Sequence, residues 1–324
     1  MAIDEEKIKE EIDDYEYTLQ TLIALSGIFE HDFSGRSIQG LTLKTSSKNT
    51  VSPSTDVTPD LVTEFQSSEL KNIGVTTEVK TDLPKNKDYW EDYVEQLKKY
   101  DDDLSGWKND IKNHDVMFIS NPLRTSDFFD YVESGPISKK YQFQRNLIIT
   151  DSSRMQQSQE FMLIKKQKGK FSNEEMDKLF KSGVGVSQLK ILPKVNKTKF
   201  YDSKPPIIYM MMIIWDHILK TNLTIEQLRD TGRNRIIEVN ENIQDILEKI
   251  SQYAPKTNKN CIKREWVVEA MTAFVDLKLA STVIGDVESY NIKLIIHGGD
   301  SRNWFISKFK ELEEKKNQTL EKYF

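Results

Sequence analysis

Along the chain the spacing of hydrophobic and polar positions changes, and each change marks an element. Ile8, Ile12, Tyr15, Leu19, Leu22 and Ile23 recur at helical spacing. They predict an amphipathic helix over 4–26, with acidic first turns facing solvent and Gly27 as its stop. Residues 31–57 lose that period and are rich in Ser, Thr and Gly. Within them 41–44 is expected as a strand and 45–58 as a long polar loop. Residues 61–65 and 75–80 then alternate with period two. They predict a hairpin closed through Lys71 and Gly74, with Thr76, Glu78 and Lys80 on one face. Asp88 and Glu91 form a capping-box pattern for a helix over 88–104, which carries Gln96 and Tyr100 one turn apart and stops at Gly106. The apolar run 116–119 reads as a short buried strand ended by Asn121 and Pro122. A helix over 126–133 and strands over 146–150 and 160–165 follow.

Periodicity breaks across 171–204, where charged residues and Pro193 precede the Pro205-Pro206 pair. Beyond it lie a strongly apolar helix from 207 to 220, a short one over 224–231 capped by Thr224, and longer ones over 240–253 and 262–279. Strands over 281–284 and 292–297 are expected to form a hairpin about Gly285 and Asp286. Helices followed by such a hairpin resemble a winged-helix domain. The tail helix from 301 carries Trp304, Phe305, Phe309, Leu312 and Leu320 on one stripe, suited to its own domain or to a second copy in a homodimer. The expected architecture is therefore α/β: a mixed central sheet flanked by helices over 1–170, a basic linker over 171–204, and a mostly helical winged-helix-like domain over 205–324.

Composition narrows the function classes. At 324 residues, 37% hydrophobic and 30% charged, the chain is polar enough for a soluble globular protein of two domains. The run 207–215 is far shorter than the roughly 20 residues a bilayer requires, so no membrane association is expected. The acidic N-terminus does not read as a secretion signal. The single Cys261 excludes an internal disulfide, and His31, His114, His217 and His297 are too scattered for zinc spacing. A cytoplasmic setting fits both. The net charge of −5 does not advertise nucleic-acid binding, but 139–204 holds fifteen Lys/Arg against six Asp/Glu. Arg145, Arg154, Lys165, Lys166, Lys168 and Lys170 suit phosphate contact or, equally, a solvated edge. The glycines of 182–186 lack any nucleotide-loop pattern. An acidic helix with Glu238, Glu241, Asp245 and Glu248 near or on it favours protein contact over base readout in the C-terminal part. Arg229, Arg233, Arg235, Lys263 and Arg264 keep a DNA role open.

The chemistry lies in the first half. A Glu and a Lys two residues apart on a half-buried strand are costly unless used, and Asp60 is brought alongside Glu78 by the expected hairpin. Two carboxylates and a lysine around one point suit a hard divalent cation, which keeps several waters and can sit against a phosphate. Glu-x-Lys alone says little, since it recurs elsewhere in the chain. Only this copy follows a Pro-Asp strand and precedes a capped helix.

Pro59-Asp60, then Glu78-Val79-Lys80, then Gln96 and Tyr100 in a QxxxY spacing, resemble the PD-(D/E)XK nuclease superfamily in its RecB-like branch. The resemblance implies a restriction-endonuclease-like fold, Mg²⁺ or Mn²⁺ as cofactor, and hydrolysis of nucleic acid, DNA before RNA. It implies Asp60, Glu78 and the Val79 carbonyl as metal ligands, with Glu30 as an added one from the first helix. Lys80 is then the catalytic lysine, and Gln96 and Tyr100 orient the lysine or the nucleic acid. An inactive nuclease-like interaction module is the alternative from another class.

Overall fold

The computed structural model describes residues 5–30, 41–47, 59–67, 72–102, 104–155, 160–222, 236–255, 261–295 and 301–321, except positions 82, 103, 105, 108, 110 and 202. Positions 48–58 of the expected polar loop over 45–58, the short helix over 224–231, and Arg229, Arg233 and Arg235 lie outside the described residues, while 45–47 end a strand instead. The chain divides into two compact units, residues 17–197 and residues 1–16 with 198–324. Helix α1 (Glu5–Phe29) contributes to both. It continues through Gly27 to bury Ile28 and Phe29 completely, so the expected stop is not one.

In the first unit β1 (Leu41–Ser47), β2 (Leu61–Ser67), β3 (Asn72–Lys80), β4 (His114–Ser120), β5 (Leu147–Arg154), β6 (Glu160–Lys168) and β7 (Val184–Ser187) form one sheet in sequence order. The β3–β4–β5 centre is parallel and both margins are antiparallel. Parallel neighbours need crossovers. These are α2 (Trp90–Asp101) between β3 and β4, and α3 (Pro122–Glu133) with α4 (Gly135–Lys140) between β4 and β5. Every residue of β4 is buried, as expected of a strand covered on both faces. One face packs Val116, Phe118 and Ile149 against Trp90, Val94, Leu97, Tyr100 and Phe128. On α1, Phe29 meets Phe65 edge-on at 5.3 Å, and Tyr17 donates to the Ser152 carbonyl at 2.5 Å.

Two expectations change here. Residues 171–204, expected as a linker, hold α5 (Glu174–Ser182), the sheet strand β7 and α6 (Gln188–Lys197), anchored by buried Met176, Phe180 and Ile191. Gly183, at φ +84, ends α5 and turns the chain into β7, so the glycines there serve a turn and a strand. The capping box of α2 is absent. Asn86 accepts from the Asp88 amide at 3.1 Å in a 3₁₀ turn over Lys87–Tyr89, while Glu91 pairs with Lys140 at 2.5 Å.

The second unit comprises α7 (Ile207–Asn222), β8 (Ile236–Asn242), α8 (Ile243–Ser251), α9 (Arg264–Asp276), β9 (Ala280–Val283), β10 (Asp286–Ile295) and α10 (Ser301–Glu321). Its sheet is antiparallel in the order β8-β10-β9. Residues 240–242, expected within a helix, end β8 instead, and Asn242 caps α8 by accepting from the Asp245 amide at 2.8 Å. Glu241 consequently leaves the helix, and Glu238, expected just ahead of it, lies in the same strand. Glu241 is buried against Lys249 at 2.6 Å while Glu238 faces solvent. Trp215 lies 5.8 Å from Phe274 and 5.5 Å from Phe305, so the tail helix packs on its own unit. From α1, Tyr15 stacks on Tyr201 at 4.7 Å and Asp13 pairs with Arg302 at 2.8 Å.

Candidate active site

Strand register builds the site. Leu61 pairs with Thr77, so Asp60, one residue ahead of β2, comes level with Glu78. The Val79 amide donates to Asp60 Oδ2 at 2.9 Å and fixes that carboxylate against β3. Two residues beyond Glu78 on the same face is Lys80. Across the parallel strands Lys80 pairs in register with Ser120, and Ser120 with Asp151. The site therefore lies at the carboxyl ends of the parallel strands, where open α/β sheets place their ligands.

Glu78 is only 3% exposed. A buried carboxylate is tolerated only when hydrogen-bonded and paired. Helix α2 and Lys80 meet that requirement. Gln96 Nε2 donates to Glu78 Oε1 at 2.7 Å, Tyr100 donates its hydroxyl proton to Oε2 at 2.8 Å, and Lys80 Nζ lies 2.6 Å from Oε1. Gln96 also donates to the Tyr100 hydroxyl at 3.0 Å. One turn earlier, the Tyr93 ring centroid is 5.5 Å from Lys80 Nζ, within cation–π range. Positions 93, 96 and 100 thus form one ridge of α2 lying over Glu78 and Lys80.

Electrostatics follow from this burial. Desolvation, aided by the negative charge of Asp60, raises the Glu78 pKa to about 7 against the opposing pull of Lys80 and Tyr100. At Lys80 burial acts downward, but the Glu78 carboxylate, Asp60 and Tyr93 outweigh it and the net shift is upward. Burial and the Glu78 charge raise Tyr100 far above an ordinary phenol, so it remains a donor. An ionised carboxylate offers about four acceptor positions. The three donors on Glu78 leave one, and the level carboxylate of Asp60 adds hard oxygens of the kind Mg²⁺ takes. The residues fit such an ion.

Glu30, expected as a further ligand, is not gathered with them. It lies just past α1, accepts from Ser26 at 3.1 Å and faces Lys194 at 3.6 Å. Among the described residues no group of three or more His, Cys, Asp or Glu side chains is placed to hold a metal. A metal here would complete its shell with water, phosphate or backbone oxygen. Val79 meets Asp60 through its amide; its carbonyl stays an implied ligand only.

Several basic residues are already engaged. Lys166 pairs with Asp177, Lys178 with Glu175 and Arg264 with Glu288. Sequence reasoning missed Tyr93, whose one available signal was its spacing of three from Gln96. It also missed the buried carboxylates that brace the loops. Asp101 accepts from the Gln144 and Arg145 amides at 2.8 and 2.6 Å, and Asp115 from the Ser172 amide at 2.8 Å. No helix among the described residues is long and apolar enough to cross a membrane. Comparison with known proteins finds no matching family model, no matching curated protein and no matching solved structure.

Proposed function

We propose that this protein is a metal-dependent nuclease that hydrolyses phosphodiester bonds, in DNA foremost. One observation carries this: Asp60, one residue ahead of β2, is level with Glu78 on β3, and Lys80 is bonded to Glu78 at the carboxyl ends of the parallel strands. Asp60 and Glu78, with the Val79 carbonyl, would hold Mg²⁺, or Mn²⁺ in its place. That ion would lower the pKa of a bound water and neutralise charge on the phosphate. In the net reaction water adds to phosphorus, the bond to one sugar oxygen breaks, and that oxygen takes up a proton.

The protein's own groups supply orientation and charge. Gln96 and Tyr100 fix the rotamer of Glu78, so its remaining acceptor position has one direction. Lys80, positive across the neutral range, orients the attacking water and stabilises the negative charge that develops on the phosphoryl oxygens. Its engagement with Glu78 in the resting site keeps it aimed.

The second unit we read as winged-helix-like. The order helix, strand, two helices, then a two-stranded hairpin supports this. Protein contact suits it better than base readout, because Lys249 and Arg264 are consumed in ion pairs with Glu241 and Glu288.

The test is a cleavage panel: single-stranded, duplex and branched DNA, and RNA, each with Mg²⁺, Mn²⁺ or EDTA. Strand breaks that need the ion are expected. No metal-dependent cleavage of any form would favour an inactive interaction module.

A further inference from the structure

The ridge of α2 that lies over the site continues one step beyond it. Tyr100 and Gln96 bond Glu78, Tyr93 covers Lys80, and the next position at helical spacing is Tyr89. Tyr89 immediately precedes α2 as its N-cap, with helical backbone (φ −78, ψ −10), so the spacing of four to Tyr93 holds. One turn is about 5.4 Å. Tyr89 therefore stands about one turn outward from the ring over Lys80, on the side away from Glu78. Unlike the others on the ridge it is 58% exposed.

Its surroundings are held by hydrogen bonds. The Trp90 indole donates to the Pro84 carbonyl at 2.8 Å, Arg124 donates to the Leu83 carbonyl, and Asn86 caps the 3₁₀ turn that ends at Tyr89. The segment leaving Lys80 is thus pinned at Leu83, Pro84 and Asn86, and it presents Lys85 and Lys87 to solvent. A large aromatic ring is thus held more than half exposed on a braced turn, preceded by Lys85 and by Lys87, whose Nζ lies 5.2 Å from the Trp90 ring. This arrangement matches what unpaired nucleic acid needs: a flat apolar face for a base and positive charge for the neighbouring phosphate.

We infer that Tyr89 is a stacking platform for an unpaired base of the substrate, one step along the strand from the phosphate at Lys80. This rests on the hydrolytic reading of the site and narrows its substrate to nucleic acid that is single-stranded at the cut. A base inside a duplex has both faces covered and cannot use the ring. Asp88 and Asp92 lie beside Tyr89 in sequence, so stacking carries more of the contact than phosphate charge does.

The experiment measures fluorescence anisotropy of labelled oligo-thymidylate and of a labelled duplex of equal length, with Ca²⁺ replacing Mg²⁺ to hold the strand uncut. Wild type is expected to prefer the single strand. Tyr89→Ala should weaken that binding roughly ten-fold, with Tyr89→Phe near wild type and the weak duplex binding unmoved. Equal binding by Tyr89→Ala and wild type, or no oligonucleotide binding by wild type, overturns the inference. The two claims fail separately. Tyr89-dependent binding without cleavage in Mg²⁺ would sink the nuclease and leave the platform. Metal-dependent cleavage with Tyr89-independent binding would do the reverse.

Discussion

At the scale of single residues, Glu78 governs how the site responds to pH. Its folded pKa, about 7, lies above the usual glutamate value. Relative to the unfolded chain the fold favours the protonated form. That contribution is complete below the unfolded pKa and is lost as pH rises through the folded one. Stability of wild type should therefore decline between about pH 4.5 and 7, on the order of 3 kcal/mol from this group. Glu78→Gln, which keeps the shape without the charge, should flatten that part of the curve. Urea unfolding of both proteins across the range checks this, and parallel curves would count against it. The same proton competes with a cation. Mn²⁺ affinity followed by calorimetry should fall about ten-fold per unit below pH 7 and level off above it. Tyr100→Phe removes a donor from the charged form. It should cost about 2 kcal/mol of stability at pH 8 and move the plateau of Mn²⁺ binding to higher pH.

At the scale of elements, the two motif strands and α2 were legible because their signals are local. Alternation of β-branched residues marks β3, and the four-residue step from Gln96 to Tyr100 marks one helix face. Strand β8 was not legible. Its Ile237, Val239 and Glu241 turn inward, and a buried Glu reads as polar until Lys249 is known to meet it. Strand β7 was hidden for a related reason, being four residues between two charged helices. Gly74 was read as part of a turn, yet its role is close packing. A Cβ there would fall 2.6 Å from the Trp107 ring and 2.9 Å from His114 Cβ. Gly74→Ala should destabilise the protein by about 1–3 kcal/mol in chemical denaturation. A neutral result would mean that the Trp107 ring yields freely.

At the scale of the whole molecule, sequence boundaries and structural units do not coincide. The first sixteen residues read as the start of an N-terminal domain, because one uninterrupted helical period runs from Ile8 to Ile23. Their buried side chains, Ile12 and Tyr15, nevertheless belong to the core built by residues 198–324. Periodicity reports that a helix has an apolar face, not which partner covers it. Removing residues 1–16 should lower the thermal transition of the second unit, through lost burial of Ile12 and Tyr15 and the Asp13–Arg302 pair. An unchanged transition would contradict that assignment.

Glu30 carries the same lesson to the site, since its identity suited a ligand but its position after α1 turned it toward Lys194. What the chain is taken to do rests on the remaining trio. The most direct measurement is the initial rate of metal-dependent strand cleavage by wild type, Glu78→Ala and Lys80→Ala, each verified as folded by circular dichroism. A loss of at least about a hundred-fold in both variants is predicted. Undiminished cleavage by either folded variant would contradict it.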